Sequence, residues 1–176
     1  MKLHLGCGGK YIHGFVHVDV EDYPHIDFRI PVNALSFAAD NSVELIYASH
    51  VLEHFGRNEV DQVLREWFRV LHEGGILRLA VPDFEAISRR YLGTGDLSEV
   101  LGLVCGGQRT AYDFHKMIFD EQVMRERLHG VGFRSVTRYD WRKTDHAWLD
   151  DYSQAYLPHM DKEAGHLMSL NIEAVK

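Results

Sequence analysis

Near the start of the chain, Gly6-Cys7-Gly8-Gly9 is followed by Asp19. Glycines let a backbone turn tightly and approach a ligand, because no Cβ stands in the way. An aspartate beyond them can accept hydrogen bonds from two ribose hydroxyls, so the pair suits a nucleotide-like ligand. A dinucleotide fingerprint would need a helix between the glycines and the acid, with the acid about 20 residues on. Here only residues 10–14 follow the turn before the next strand begins, too few for a proper helix. A ligand without phosphate fits better. A second constellation is His50-Val51-Leu52-Glu53-His54, an H-x-x-E-H spacing. Inside a long helix it would place two histidines on zinc, with the glutamate activating water. Here it directly follows a strand-like run, Gly56 interrupts it, and no distant acid supplies a third ligand, so no metal is expected. A third candidate is His115 in Asp113-Phe114-His115-Lys116, where Asp113 could orient an imidazole suited to proton transfer. Cys7 reads as small and packed rather than nucleophilic.

These residues need elements to position them. Residues 3–5, 16–20, 28–32, 43–48, 76–81, 133–141 and 167–175 read as strands. Val60, Val63, Leu64, Trp67, Phe68 and Leu71 recur at helical spacing, behind Asn58 as cap and before Gly74-Gly75 as stop. Asp83 caps a helix carrying Phe84, Ile87 and Tyr91. Residues 97–104 form another short apolar face, and Asp120 caps a helix to about His129. Residues 142–165 show no period and read as a surface excursion. Strands alternating with helices imply an α/β fold with a parallel sheet covered on both faces. The last two strands have no helix between them and pair antiparallel at one edge. Open sheets of this kind bind ligands at the carboxyl ends of their strands. That rule selects residues 6–11, 19–20, 49–54 and 82–83.

The 176 residues suit one domain, read as 1–176, and an apolar fraction of 45% is enough for its core. Twenty-six acids against 19 lysines and arginines leave a formal charge of −7, which argues against a nucleic-acid partner. Two cysteines, Cys7 and Cys105, make no disulfide framework and suit a reducing interior. No apolar run approaches a membrane span and no leader precedes the first strand, so a cytoplasmic protein with no membrane partner is expected.

Taken in order, LHLGCGG, HVDV, IYASHVLEHF, LREWFRVLHEGGILRLAVPDF, DFHKMIFDEQVMRERLHGVGF and SLNIEAVK resemble the class I S-adenosylmethionine-dependent methyltransferases. The compact bacterial members with a shortened first helix are most similar. The resemblance implies a doubly wound, Rossmann-like, mostly parallel sheet of seven strands with an antiparallel edge strand. It implies S-adenosylmethionine as cofactor and a small-molecule acceptor, such as a sugar or another hydroxylated metabolite. Leu5, Gly6, Cys7, Gly8 and Tyr11 would meet the cofactor, Gly6 and Gly8 closest to its methionine part. Asp19 would hold the ribose and Val20 would lie beside the adenine. Ser49 and His50 would line the pocket near the sulfonium. Methyl transfer from a sulfonium has a good leaving group, so the protein mainly supplies position. An oxygen acceptor also needs a base, and His50 and His115 are the candidates.

The chain departs from the family pattern in three places. His4 stands where the family usually has an acid, and Lys10 where it has a third glycine. No acid follows the third strand, which leaves adenine to backbone groups and apolar contacts. Two other readings remain: a non-catalytic cofactor-binding relative, and a zinc hydrolase using His50, Glu53 and His54.

Overall fold

The computed structural model describes residues 1–176. Its main sheet has seven strands: β1 (Lys2–Leu5), β2 (Val16–Asp19), β3 (Phe28–Arg29), β4 (Val43–Ser49), β5 (Leu71–Pro82), β6 (Ser135–Arg138) and β9 (Ser169–Val175). A separate two-stranded ribbon pairs β7 (Tyr156–Leu157) with β8 (His166–Leu167). The order across the main sheet is β3-β2-β1-β4-β5-β9-β6. Strands β1 to β5 pair in parallel, and β9 runs antiparallel to both β5 and β6. This is the expected Rossmann-like sheet, with the antiparallel pair at one edge and β9 one strand in from it.

Four helices accompany the sheet: α1 (Val60–Val70), α2 (Phe84–Thr94), α3 (Leu97–Cys105) and α4 (Glu121–Val131). Asp83 caps α2 by accepting from the Glu85 and Ala86 amides, and Asp120 caps α4 by accepting from Val123. Asp96 caps α3 through the Ser98 amide. Each cap satisfies amides that a helix start leaves open. Helix α1 is not capped by Asn58. Its first residue follows Glu59, whose carboxylate accepts from the Gly56 amide instead.

One face of the sheet is apolar. Leu3, Leu5, Val18, Ile46, Ala48, Leu77, Leu79, Leu170, Ile172 and Ala174 join Val63, Leu64 and Trp67 of α1 and Met124 and Leu128 of α4 in one core. The opposite face carries a polar row. His17, His4, Tyr47, Arg78 and Glu173 stand side by side in register across β2, β1, β4, β5 and β9. Arg78 donates to Glu173 at 2.6 Å, and Tyr47 donates to Asp151 at 2.6 Å. His17 Nε2 accepts from the Ile12 amide at 3.0 Å. The Tyr139 ring lies over Arg78 and the His146 ring abuts Tyr47.

Several elements differ from the sequence reading. Strand β3 ends at Arg29 rather than residue 32. Pro31 has no amide to continue the ladder, and the chain turns to dock on α1, where Trp67 donates to the Val32 carbonyl at 2.9 Å. Gly74-Gly75 does not end α1. The helix stops at Val70, and β5 starts at once and carries both glycines through an irregularity opposite β4. A Cβ on Gly75 would meet the His72 carbonyl at 2.8 Å, so the bulge requires glycine. Strand β6 is shorter than residues 133–141. The excursion over residues 142–165 is not merely surface. Leu149, Ser153, Gln154, Ala155 and Tyr156 are buried, and it forms the cover of the polar row. No helix is long and apolar enough to cross a membrane.

The polar row sets a pH dependence. Burial first, and then the neighbouring histidines, push His4 down to about 3, while burial also lowers His17 and His146. Such a ring takes up a proton in the unfolded chain below its ordinary value of 6.5 but not in the folded one. Folding stability therefore falls as pH drops below that value, with His4 contributing down to about 3. One such ring adds a slope of up to about 1.4 kcal/mol per pH unit. Urea unfolding at pH 7.5, 6 and 5 is expected to show this loss, and His4→Phe is expected to reduce its slope.

Candidate active site

The carboxyl ends of β1, β2 and β4 meet at the glycine turn. Gly6 and Gly8 have φ of +59° and +52°, backbone that L side chains rarely adopt. The Gly6 amide donates to the Val18 carbonyl at 2.8 Å. Asp19 is buried at the end of β2, and its two carboxylate oxygens accept from the Gly8 amide at 2.8 Å and the Glu21 amide at 2.9 Å. Two amide bonds fix the carboxylate and leave lone pairs free for a ligand. Cys7 is buried beside Val18 and His25, and burial, followed by the Asp19 charge, pushes its thiol up to about 12. It is not a nucleophile at neutral pH. Tyr11 is exposed and stacks on His17, with ring centroids 4.8 Å apart. The Val20 carbonyl accepts from Arg29. Val51 packs on Gly6, and Tyr23 lies against Gly9.

Ser49 and His50 follow at the end of β4. The Ser49 hydroxyl is buried without a partner. His50 has a φ of +54°, and its amide donates to the Ala80 carbonyl, which turns the ring over the sheet edge. Its Nε2 lies 3.3 Å from Ser169 Oγ and its Nδ1 lies 3.2 Å from Glu53 Oε1. The next residues form one short 3₁₀ turn, Leu52–His54. His50 and His54 are therefore not two ligands on one α-helical turn, as the zinc reading of H-x-x-E-H requires.

His115 arrives from the segment after α3. The Lys116 and Met117 amides both donate to the Glu53 carbonyl, which docks that segment on the 3₁₀ turn. Asp113 does not orient His115. It accepts instead from the Gly107 and Arg109 amides and the Arg109 side chain. His115 Nδ1 donates to the Leu103 carbonyl at 2.9 Å, and its Nε2 faces Glu53 Oε1 at 3.9 Å. Burial pushes the Glu53 carboxyl up to about 8 and holds His50 down to about 3, with His115 and His54 adding to the latter. Burial lowers His54 and His115 as well.

The structure thus gathers two clusters. One holds Gly6, Gly8, Asp19 and Ser49 near the strand ends. The other holds His50 and His115 around Glu53, a residue that the sequence reading considered only within the H-x-x-E-H spacing. His50 and His115 also line a cavity of about 380 Å³, together with Leu103, Tyr152, Tyr156 and Met168. A larger cavity of about 870 Å³ shares Tyr156 and Met168 with it and is lined by Arg89, Arg90, Arg138 and Arg142.

Comparison with known proteins bears on the fold. A family model described as a methyltransferase domain matches residues 10–79, from the glycine turn's exit through most of β5. Over those residues the chain is similar to the methyltransferase domain family. Among solved structures, the chain is similar to an S-adenosylmethionine-dependent methyltransferase from Archaeoglobus fulgidus. That match has a TM-score of 0.58 at 13% identity, over 99% of this chain and 85% of the other. A possible histamine N-methyltransferase from Thermotoga maritima aligns with a TM-score of 0.60 at 12% identity, over 99% of this chain and 81% of the other. The 1,6-didemethyltoxoflavin-N1-methyltransferase of Burkholderia thailandensis, with bound 1,6-didemethyltoxoflavin and S-adenosylhomocysteine, gives a TM-score of 0.61 at 14% identity, over 99% of this chain and 70% of the other. At these identities the likeness shows a shared fold. No curated protein matches the chain significantly.

The two glycines of the turn should differ in tolerance. A Cβ at Gly6 would sit 2.5 Å from Val51 Cγ2, whereas Gly8 has open space. Gly8→Ala is expected to cost about 1–2 kcal/mol for the left-handed backbone alone. Gly6→Ala adds overpacking and should cost about 1–3 kcal/mol more. Urea unfolding of the two variants measures the difference.

Proposed function

We propose that the enzyme binds S-adenosylmethionine along the carboxyl ends of β1, β2 and β4 and methylates a small hydroxylated acceptor, such as a sugar, in the cavity of about 380 Å³. The observation that carries this reading is that cavity, lined by His115 and by His50 from the end of β4, with the residue after His50, Val51, packed on Gly6 of the glycine turn. Its volume suits a small molecule. The Burkholderia neighbour of the same fold holds 1,6-didemethyltoxoflavin and S-adenosylhomocysteine together, which supports a cofactor and a small acceptor as the ligands.

The residues present fit the cofactor. Asp19 is fixed by two amides with acceptor capacity left for ribose hydroxyls. Gly8 leaves open space where a Cβ would project, and the unpartnered Ser49 hydroxyl has no other use in the fold. In this assignment Leu5, Gly6, Cys7, Gly8 and Tyr11 form the cofactor wall, with Val20 beside the adenine. The cofactor supplies an electrophilic methyl group, and the chain supplies position. His50 is the base assigned to an acceptor hydroxyl. Glu53 beside its Nδ1 would balance the positive charge that develops on the ring, and Nε2 lies beside Ser169. His115 forms the facing wall of the cavity. Cys7 and Cys105 are unpaired, which suits a reducing compartment, and we assign the enzyme to the cytoplasm.

Calorimetric titration with S-adenosylhomocysteine is expected to give saturable one-to-one binding. Asp19→Asn should weaken it about tenfold or more, the value of one charge-assisted hydrogen bond, and unchanged affinity would remove the ribose role. His50→Gln should lower turnover about 10²–10⁴-fold with S-adenosylhomocysteine binding kept. Equal turnover would remove it as base. A well-folded protein that does not bind S-adenosylhomocysteine would instead be a non-catalytic relative.

A further inference from the structure

Glu53, His54 and His115 converge beneath the end of β4, and the methyl-transfer reading leaves their meeting unexplained. Glu53 has no exposed surface, and neither side-chain oxygen has a hydrogen-bond partner. A buried carboxylate without partners is costly and demands a proton or a cation. No lysine or arginine reaches it; its ionisable neighbours are histidine rings. One ligand-capable atom from each of Glu53, His54 and His115 lies within 4.8 Å of the other two.

Two of these rings are already arranged as ligands. His54 Nδ1 lies 3.1 Å from the Phe114 carbonyl, and His115 Nδ1 lies 2.9 Å from the Leu103 carbonyl. A carbonyl only accepts, so each Nδ1 carries the proton and each Nε2 keeps a lone pair. A second nitrogen donating to a backbone carbonyl is the arrangement that fixes tautomer and orientation in metal-binding histidines. His115 Nε2 and Glu53 Oε1 are 3.9 Å apart. One ion with ligand distances of about 2.0–2.2 Å reaches both.

We propose that Glu53, His54 and His115 bind one divalent first-row transition ion through two imidazoles and one carboxylate. This donor set suits zinc or ferrous iron and leaves coordination positions open. It differs from the H-x-x-E-H set, because His50 turns its Nε2 to Ser169 and His115 takes the third place from a distant part of the chain. His115 also lines the acceptor cavity, so the ion would be one side chain from the acceptor. Polarising an acceptor oxygen there rests on the methyl-transfer reading; binding of the ion does not.

The test titrates chelator-treated full-length protein with Co²⁺, whose visible absorption reports inner-sphere ligands. The expected result is a band that saturates at one equivalent and is displaced by Zn²⁺. Glu53→Gln and His54→Ala should each weaken binding about tenfold or more, the lower end of the loss when even a supporting partner of a ligand is removed. His129→Ala, exposed at the end of α4, should leave it unchanged. His54 is only partly buried, so its variant should fold, by circular dichroism, even where Glu53→Gln does not. Absence of a cobalt band at one equivalent overturns the site, as does a band unchanged in both His54→Ala and His115→Ala. S-adenosylhomocysteine titration of the same sample separates the two readings. Cobalt binding without it removes the cofactor assignment and leaves the metal site standing.

Discussion

Buried polarity on one face of the sheet is the constraint on which the rest of the architecture depends. His17, His4, Tyr47, Arg78 and Glu173 form one row across five strands. All but His4, whose Nδ1 has no partner, take one out of water, because an unmet polar group in the interior is expensive. The apolar flank of an amphipathic helix offers no such partners, but a loop does, through its backbone groups and short polar side chains. Ile12 donates its amide to His17, Asp151 accepts from Tyr47, and the Ser153 carbonyl accepts from Asn171. The face is accordingly covered by connections: residues 6–15 without a helix, and the long excursion after β6. The apolar face keeps the ordinary arrangement, with α1 and α4 packed on it.

The carboxyl edge of the sheet applies the same physics to two carboxylates with opposite outcomes. Asp19 has both oxygens bonded to backbone amides, so its carboxylate is fixed in place. Glu53 is buried just as deeply but has no bond to either oxygen. Its main-chain carbonyl meanwhile takes the Lys116 and Met117 amides. One residue therefore ties the segment carrying His115 to the end of β4 through its backbone, while its side chain stays free for chemistry. His50 adds a left-handed backbone conformation at the same place. Strain and unmet polarity concentrated at one strand end are what a reactive site looks like in physical terms.

The turn and the loop after β4 are also one packed unit. Val51 occupies the space that a Cβ on Gly6 would need. The glycine turn and the loop that carries His50 and Glu53 are thus held together by one contact.

What the sequence determined alone is what short stretches encode. The alternation of strands and helices, the face of α1, the caps at Asp83 and Asp120, and the glycine turn before Asp19 each depend on a few neighbouring residues, through periodicity or a local hydrogen bond. The resemblance added the strand count and the cofactor. Tertiary structure decided what depends on distant partners. Gly74-Gly75 lies within a strand because β4 needed a bulge opposite it. Residues 142–165 are buried because a polar row elsewhere in the chain required cover. Asp113 pairs with Arg109 because that turn closes on itself. Glu53 meets His115 because two segments far apart in sequence converge on the end of β4, and no local pattern records that meeting.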